Sequence, residues 1–553
     1  MFANAFYEIT VLLLFAAALG ALAVRLRQPL ILAFIAVGIA ANPAALGLIG
    51  APEQVELLAT LGISLLLFVV GLRLDLHLIR SLGPVALATG LGQVVFTSVV
   101  GYFIGLALGL GHIAALYVAV ALTFSSTIII VKLLSDKREI DSLHGRIAVG
   151  FLIVQDIVVV LAMIGLSALG VAGTIEGSGV AALLVAALKG AFMLSALGLL
   201  MRYVLPSLLH QLARSTELLV LAGVAWAVAL AALGDYLGFS KEVGAFLAGV
   251  SIASTPYREA ISTRLVSLRD FLLLFFFVGL GVQLDLQLFG TQLVPAIVLS
   301  LFVLIGNPLI VMMIMGAMGY RKRTGFLAGL TVAQISEFSF ILGALGVTLG
   351  HIDRDVLGLI TLVGLVTIGL STYLILYSHP LYEWIAPRLN IFERRMPYRE
   401  AKLDEGSHPL AADVILFGLG RFGGNLARHL RGRGMSVLGV DFDPQAVRAW
   451  HREGLPAQYG DAEDPEFAAT LPLAQARWVI STAPQRDVSL ALLHGLKTHG
   501  YRGRTALTTH SETDAELLRQ KGASVVFLPF ADAAEQAADT ITSESAPWSR
   551  QHL

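Results

Sequence analysis

The chain has no cysteine among its 553 residues. Disulfides, iron–sulfur clusters, zinc–thiolate sites and thiol nucleophiles are thereby excluded. Charge is scarce as well. Asp, Glu, Lys and Arg make up 14% of residues, where soluble domains carry roughly 25%. With 56% hydrophobic residues and a mean hydropathy of +0.78, most of the chain belongs in lipid. The formal net charge of −1 argues against nucleic-acid binding. The first apolar segment has neither a basic start nor a small-residue cleavage site, so it reads as a retained membrane helix and not as a signal peptide.

The charge that is present lies unevenly, sparse to about residue 390 and frequent beyond it. Two domains of different class are expected: a membrane domain over 1–389, a cytoplasmic linker over 390–411 and a soluble domain over 412–553.

A spanning helix needs about 20 apolar residues. Thirteen segments fit, approximately 5–25, 29–48, 53–72, 84–109, 112–134, 143–169, 179–204, 215–235, 240–256, 265–284, 290–319, 324–349 and 355–386, the second and ninth being short or interrupted. Basic residues test the count. Sixteen of them, from Arg25 and Arg27 through Lys132 and Lys137 to Arg321, Lys322 and Arg323, fall in odd-numbered loops, whereas the even-numbered loops hold Lys241 and Arg354. That bias places the N-terminus outside and the C-terminus in the cytoplasm.

A repeat is visible. Leu65-Leu66-Leu67-Phe68 leads to Gly71-Leu72 and Leu74-Asp75-Leu76. About 208 residues later, Leu272-Leu273-Leu274-Phe275 leads to Gly279-Leu280 and Leu284-Asp285-Leu286. The same offset lays Leu122-Thr123 on Leu330-Thr331. An odd number of helices separates the copies, so they cross the membrane in opposite directions. Inverted repeats mark secondary transporters, whose substrate sites lie where the repeats meet.

Asp156, after Gln155, sits near the middle of the sixth apolar span. An aspartate there costs about 2.5–3.5 kcal/mol on insertion scales. Protonation or coordination of a cation each lowers that cost, and the two exclude one another. Lys189 is the other intramembrane group that could pair with it. The fifth span carries Thr123-Phe124-Ser125-Ser126-Thr127 at mid-depth, and its repeat partner carries Gln334-Ile335-Ser336-Glu337. Polar runs of this kind interrupt helices, and interrupted helices at matched places are a pointer to an ion site. The hydroxyls equally suit helix packing. Glu337 either balances a broken-helix end or joins the site. Asn307-Pro308 kinks the eleventh span.

After the linker, Val414-Ile415-Leu416-Phe417 reads as a buried strand. It runs into Gly418-Leu419-Gly420-Arg421-Phe422-Gly423, and a second strand ends at Asp441, 18 residues beyond Gly423. Strand, glycine loop, helix, strand and acid form the setting of a dinucleotide fingerprint. Asp441 would accept from a ribose hydroxyl and repel a 2′-phosphate, favouring NAD(H) or an adenosine nucleotide such as AMP. Asp461, after a third strand, would touch adenine or ribose. No substrate lobe or catalytic His-Asp pair follows, so ligand sensing is expected and not catalysis.

Gln155-Asp156, the Thr-Phe-Ser-Ser-Thr run, Val243–Gly249, the stretch ending at Leu280 and Ala333–Phe338 together resemble the cation/proton antiporter-2 family, and within it the Kef-type potassium efflux group. The C-terminal part is similar to TrkA-N domains, the N-terminal lobes of potassium-conductance regulators. The resemblance implies an α-helical polytopic protein of about 13 transmembrane helices, with inverted repeats and crossed broken helices, N-out and C-in, followed by an α/β Rossmann-like domain. It implies a dimerisation domain and a moving core in a homodimer of the inner membrane, and leaves room for an ancillary regulatory subunit. By resemblance, Gln155 and Asp156 are the ion-binding pair that carries potassium or sodium against protons; Ser125, Ser126, Thr127, Gln334 and Glu337 join them as candidates from the interrupted helices, and Gly418, Gly420, Arg421, Phe422, Gly423, Asp441 and Asp461 are the candidates, from the fingerprint, for holding the regulatory nucleotide. Electrogenic relatives carry a second acid and a lysine where this chain has Gln155 and Asn307, so electroneutral exchange is expected. The acidic, histidine-bearing loop of glutathione-gated members is replaced by Tyr257–Arg264, so glutathione gating is not. Other readings are a potassium channel with the same regulator, which lacks a Thr-Val-Gly-Tyr-Gly filter here, a membrane-tethered NAD oxidoreductase, which lacks a redox partner, and a nucleotide sensor without antiport.

Overall fold

The computed structural model describes residues 5–42, 45, 52–73, 84–137, 139, 140, 142–174, 188, 191, 195, 197–213, 215–284, 289–393, 412–462 and 467–542. The chain divides into two compact units at residue 393.

Lipid offers backbone groups no hydrogen-bond partner, so an apolar chain must satisfy them within helices. In the first unit these are α1 (Ala5–Arg25), α2 (Leu30–Ala41), α3 (Pro52–Arg73), α4 (Pro84–Ala107), α5 (His112–Ala121), α6 (Thr127–Asp136) and α7 (Leu143–Thr174). Then come α8 (Leu205–Leu212), α9 (Thr216–Tyr236), α10 (Lys241–Ala253), α11 (Arg258–Gln283), α12 (Phe289–Leu301), α13 (Asn307–Ala317), α14 (Lys322–Leu330), α15 (Glu337–Thr348), α16 (Arg354–Leu376) and α17 (Ser378–Ile385).

Among the described residues eight helices are long and apolar enough to cross a bilayer. The spans expected at 112–134 and 324–349 are each two half-helices, α5 with α6 and α14 with α15. The short second and ninth spans are helical, with 12 and 13 residues in α2 and α10. The span expected at 179–204 lies largely outside the described residues, which therefore do not fix the number at thirteen. The expected kink at Asn307-Pro308 takes a particular form: a π turn over Phe302–Gly306 joins α12 to α13. Pro308 has no N–H to give, and one wider turn absorbs the mismatch.

Leu74-Asp75-Leu76 and Asp285-Leu286 of the expected repeat lie outside the described residues. Packing carries the repeat instead. α3 meets α10 through Gly71 and Gly249, so closely that a Cβ on Gly71 would stand 2.9 Å from the Gly249 Cα. α11 meets α2 through Gly281 and Gly38, where the corresponding distance is 2.8 Å. From Gly71 to Gly281 is 210 positions, and from Gly38 to Gly249 is 211. The same small-residue crossing thus occurs once in each copy.

The second unit is a six-stranded parallel sheet of order β3-β2-β1-β4-β5-β6. Its elements are β1 (Val414–Phe417), α18 (Arg421–Gly432), β2 (Val437–Asp441), α19 (Pro444–Arg452), β3 (Ala457–Tyr459), β4 (Trp478–Ser481), α20 (Arg486–Thr498), β5 (Arg504–Thr508), α21 (Glu512–Gln520), β6 (Val525–Phe527) and α22 (Pro529–Thr542). β1 and β2 are buried along their whole length, as strands with helices over both faces must be. The order reverses between β1 and β4, the switch point at which doubly wound sheets bind ligands.

Candidate functional site

Ending α5 at Ala121 and restarting the chain as α6 at Thr127 frees backbone groups deep in an apolar unit. Side chains from three other helices take them up. Asn307 of α13 donates to Leu122 O at 3.2 Å, Gln93 of α4 donates to Thr123 O at 3.2 Å, and Gln155 of α7 accepts from Ser125 N at 3.0 Å. Ser126 caps α6 by accepting from Ile129 N. Gln93, Gln155, Asn307 and Ser126 are all fully buried.

The break between α14 and α15 is built alike. Asn307 also donates to Val332 O at 3.4 Å, and Thr367 of α16 accepts from Ile335 N at 3.4 Å. Ser336 caps α15, and Ser339 closes the capping box. The Ser339 hydroxyl also donates at 2.6 Å to Ala121 O, joining α15 to the last residue of α5. Ser125 bonded by Gln155 and Ile335 bonded by Thr367 are one interaction in two copies, since their partners stand 210 and 212 positions apart.

Asp156 comes to the first break. Thr127, the first residue of α6, donates its hydroxyl to Asp156 Oδ2 at 2.9 Å. The carboxyl therefore lies by the positive end of a half-helix. Among the described residues it has no ion pair, and Lys189 lies outside them. The Ser125 hydroxyl, buried on the same break, has no hydrogen-bond partner among the described residues. Asp156, Gln155, Ser125, Ser126 and Thr127 are thus gathered around one break. Gln334 and Glu337 belong to the other. Gln334 Oε1 accepts from Ser371 at 2.9 Å, and its amide nitrogen has no partner among the described residues. Nitrogen donors do not ligate cations, so this orientation does not suit a ligand. Glu337 is buried in the first turn of α15, where a carboxylate balances the positive helix end, and its Oε2 accepts from Ser336 at 3.3 Å. Gln93, Thr97, Thr367 and Ser371 were not singled out from sequence. The signal for the first two is a polar pair spaced by four, accompanied by Thr89 and Ser98, in a mainly apolar α4.

In the second unit, the chain leaves β1 at Gly418 with φ +89°, a conformation that glycine adopts without strain. A Cβ on Gly423 would collide with the Gly418 carbonyl, whereas one on Gly420 would meet open space. The N-terminus of α18 is therefore reachable by a phosphate group. Both oxygens of Asp441 are engaged: Oδ2 accepts from Leu419 N at 2.6 Å and Oδ1 from Asp443 N at 2.8 Å. Burial raises its carboxyl above the ordinary range, against the pull of those two amides. Asp441 thus staples the glycine loop to the end of β2 before any ligand is considered. Thr482 donates to Gly418 O at 3.0 Å from the other side. Arg421 and Phe422 are exposed, and Asp461 is half-buried just beyond β3.

Residues 10–376 match the family model "Sodium/hydrogen exchanger, transmembrane", and residues 414–529 match "TrkA-N domain". A proposed K(+) efflux antiporter KefB of Alkalimonas amylolytica is 30% identical over 91% of this chain and 76% of its own length. The glutathione-regulated potassium-efflux system protein KefC of an Escherichia coli O6:H1 strain is 29% identical over 88% of this chain and 76% of its own. The solved sodium proton antiporter MjNhaP1 of Methanocaldococcus jannaschii is 16% identical, covering 67% of this chain and 96% of its own, with a TM-score of 0.46.

Proposed function

The chain belongs to the sodium/hydrogen exchanger family, among its Kef-type cation/proton antiporters, and from that premise we propose that Asp156 alternately holds a proton and a potassium ion while the cytoplasmic domain senses an adenine nucleotide. The protein is a multi-pass membrane antiporter with a TrkA-N domain, and not an enzyme. What supports the exchange reading is one carboxyl beside a helix break, with a buried hydroxyl, Ser125, on the same break that has no partner among the described residues. The cation is substrate, and Asp156 with Ser125 offers it oxygen ligands. Gln155 shapes the break, and Ser126 and Thr127 cap and line the half-helix that faces it.

The stoichiometry follows from charge. Asp156 is flanked by neutral Gln155, and Asn307 adds no charge at the crossing. One proton leaves as one monovalent cation arrives, so exchange is electroneutral. Potassium is favoured over sodium by the names of the relatives, both of which are potassium-efflux proteins. Glu337 balances the end of α15, and Gln334 reorients before it ligates anything.

The domain boundaries proposed are 1–389 for the transporter and 412–553 for the regulator, joined by 390–411. In the regulator, Gly418, Gly420, Arg421, Phe422 and Gly423 would receive the phosphates of NAD(H) or AMP at the N-terminus of α18. Asp441 holds the loop in place, and Asp461 is within the same rim of strand ends. A nucleotide changes transport by binding the two transport states unequally. Two chains pair as a homodimer. Proteoliposome flux measured across potassium, sodium and lithium, with and without NADH and AMP, tests the reading. Cation-driven proton release that prefers potassium and responds to one nucleotide supports it. Channel-like currents with no proton movement would refute it.

A further inference from the structure

An unbroken line of hydrogen bonds joins one helix break to the other. Ser125 N–H donates to Gln155 Oε1 at 3.0 Å, Gln155 Nε2 to Gln93 Oε1 at 2.8 Å, and Gln93 Nε2 to Thr97 Oγ1 at 3.1 Å. Thr97 then donates to Asn307 Oδ1 at 3.0 Å, and Asn307 Nδ2 donates to Leu122 O and Val332 O. Every link points the same way. A side-chain amide can be satisfied in either orientation only if its neighbours allow both. Here they do not. Turning Gln93 over would set its nitrogen against the Gln155 nitrogen and its oxygen against the Thr123 carbonyl. The second Gln93 hydrogen, used on Thr123 O at 3.2 Å, closes the only remaining freedom.

Gln93, Thr97 and Asn307 are fully buried. A buried amide in an apolar setting is costly unless its polar atoms are used, and in Gln93 the oxygen and both hydrogens are used on protein. Its oxygen already accepts from Gln155 and its nitrogen is spent on Thr97 and Thr123, so its part is to hold its neighbours. What it controls is the direction of the Gln155 amide and the course of residues 122–125, one of which carries the Ser125 hydroxyl.

We propose that Gln93 is a positioning residue of the transport site: it locks the Gln155 amide and the first helix break in one arrangement, and thereby sets affinity for the cation without contacting it. The inference rests on the reading that Asp156 holds the cation.

The test uses the full chain in proteoliposomes, with potassium-driven proton release as the readout. Gln93→Leu should raise the half-saturating potassium concentration about tenfold, the scale of one buried hydrogen bond lost, while the maximal rate per folded molecule stays within about twofold. A merely structural role would lower the maximal rate and leave half-saturation where it was, and that result overturns the proposal. Should Gln93→Leu fail to fold, Thr97→Val cuts the next link at nearly constant volume and must shift half-saturation the same way. Stabilisation of the purified chain against heat by potassium separates two failures. Stabilisation equal in wild type and Gln93→Leu overturns the positioning role. Stabilisation that survives in Asp156→Asn overturns the site reading instead.

Discussion

Thr97 and Asn307 stand 210 positions apart and bond directly, hydroxyl to amide carbonyl, at 3.0 Å. That separation equals the shift relating Gly71 to Gly281. The two residues therefore occupy matching places in the two copies, and their contact lies where the copies meet. Secondary transporters place substrate at that meeting. Asn307 adds a bond to the backbone of each break from the same point.

Asn307→Leu should accordingly cost about 2–4 kcal/mol of stability, since it strands the Leu122 and Val332 carbonyls and the Thr97 hydroxyl in an apolar interior. Thermal unfolding of the purified protein in detergent measures it. A change below about 0.5 kcal/mol would mean that these groups find other partners.

The glycine crossings predict a matched pair of effects. A Cβ at Gly249 would strike the Phe68 carbonyl, and one at Gly281 the Ile35 carbonyl. Both are backbone atoms in helices and cannot swing aside. Gly249→Ala and Gly281→Ala should each lose upward of about 3 kcal/mol, as overpacking at its most severe does. Folded yield by size exclusion should drop alike for both, whereas Gly279→Ala, where the added methyl meets open space, should be near neutral.

Glu139, in the loop after α6, predicts a pH dependence. Burial works to raise its carboxyl, but hydrogen bonds from His144 and His379 and the charge of Lys137 overcome it and hold the group well below the usual carboxylate range. A depressed folded value means that the stabilisation is complete above the unfolded value of about 4.3 and drains away as pH falls below it. Glu139→Gln should lose about 3 kcal/mol at pH 7, and the gap to wild type should narrow below about pH 4. Thermal denaturation across that range reads both.

In the cytoplasmic unit, Asp441→Asn keeps the shape but puts an amide nitrogen where one of two backbone N–H groups now donates. The glycine loop should loosen and the thermal shift produced by NADH or AMP should disappear, with basal potassium-driven flux retained. Differential scanning fluorimetry of the full chain is the check. A nucleotide shift that persists in Asp441→Asn would detach Asp441 from the binding loop.

Period and punctuation made much of this legible in the sequence. Apolar runs bounded by basic loops locate the long helices, and Gly418-Leu419-Gly420 after four apolar residues locates the first strand and its turn. The helix breaks are legible because hydroxyls and Gln334 interrupt otherwise apolar runs. Partners across space are another matter. Nothing in the run around Gln93 says that its amide meets Gln155, which lies 62 positions away. The direction of Gln334, turned to Ser371, depends on how α16 packs and not on any local pattern. Asp441 illustrates the same limit. Its place after β2 suggests a ribose contact, while its bonds to Leu419 and Asp443 appear only once loop and strand end are folded together. β5 and β6, short and flanked by polar turns, give too weak a pattern to read in advance.

Asp156→Asn tests the central claim most directly. The variant should fold, reach the membrane and still take up the Thr127 bond, because an amide oxygen accepts as a carboxylate does. Reconstituted in proteoliposomes, it should show no potassium-driven proton release at any pH between about 6 and 9, where a transport acid competing with the cation would work. Release at the wild-type rate from Asp156→Asn would contradict the account.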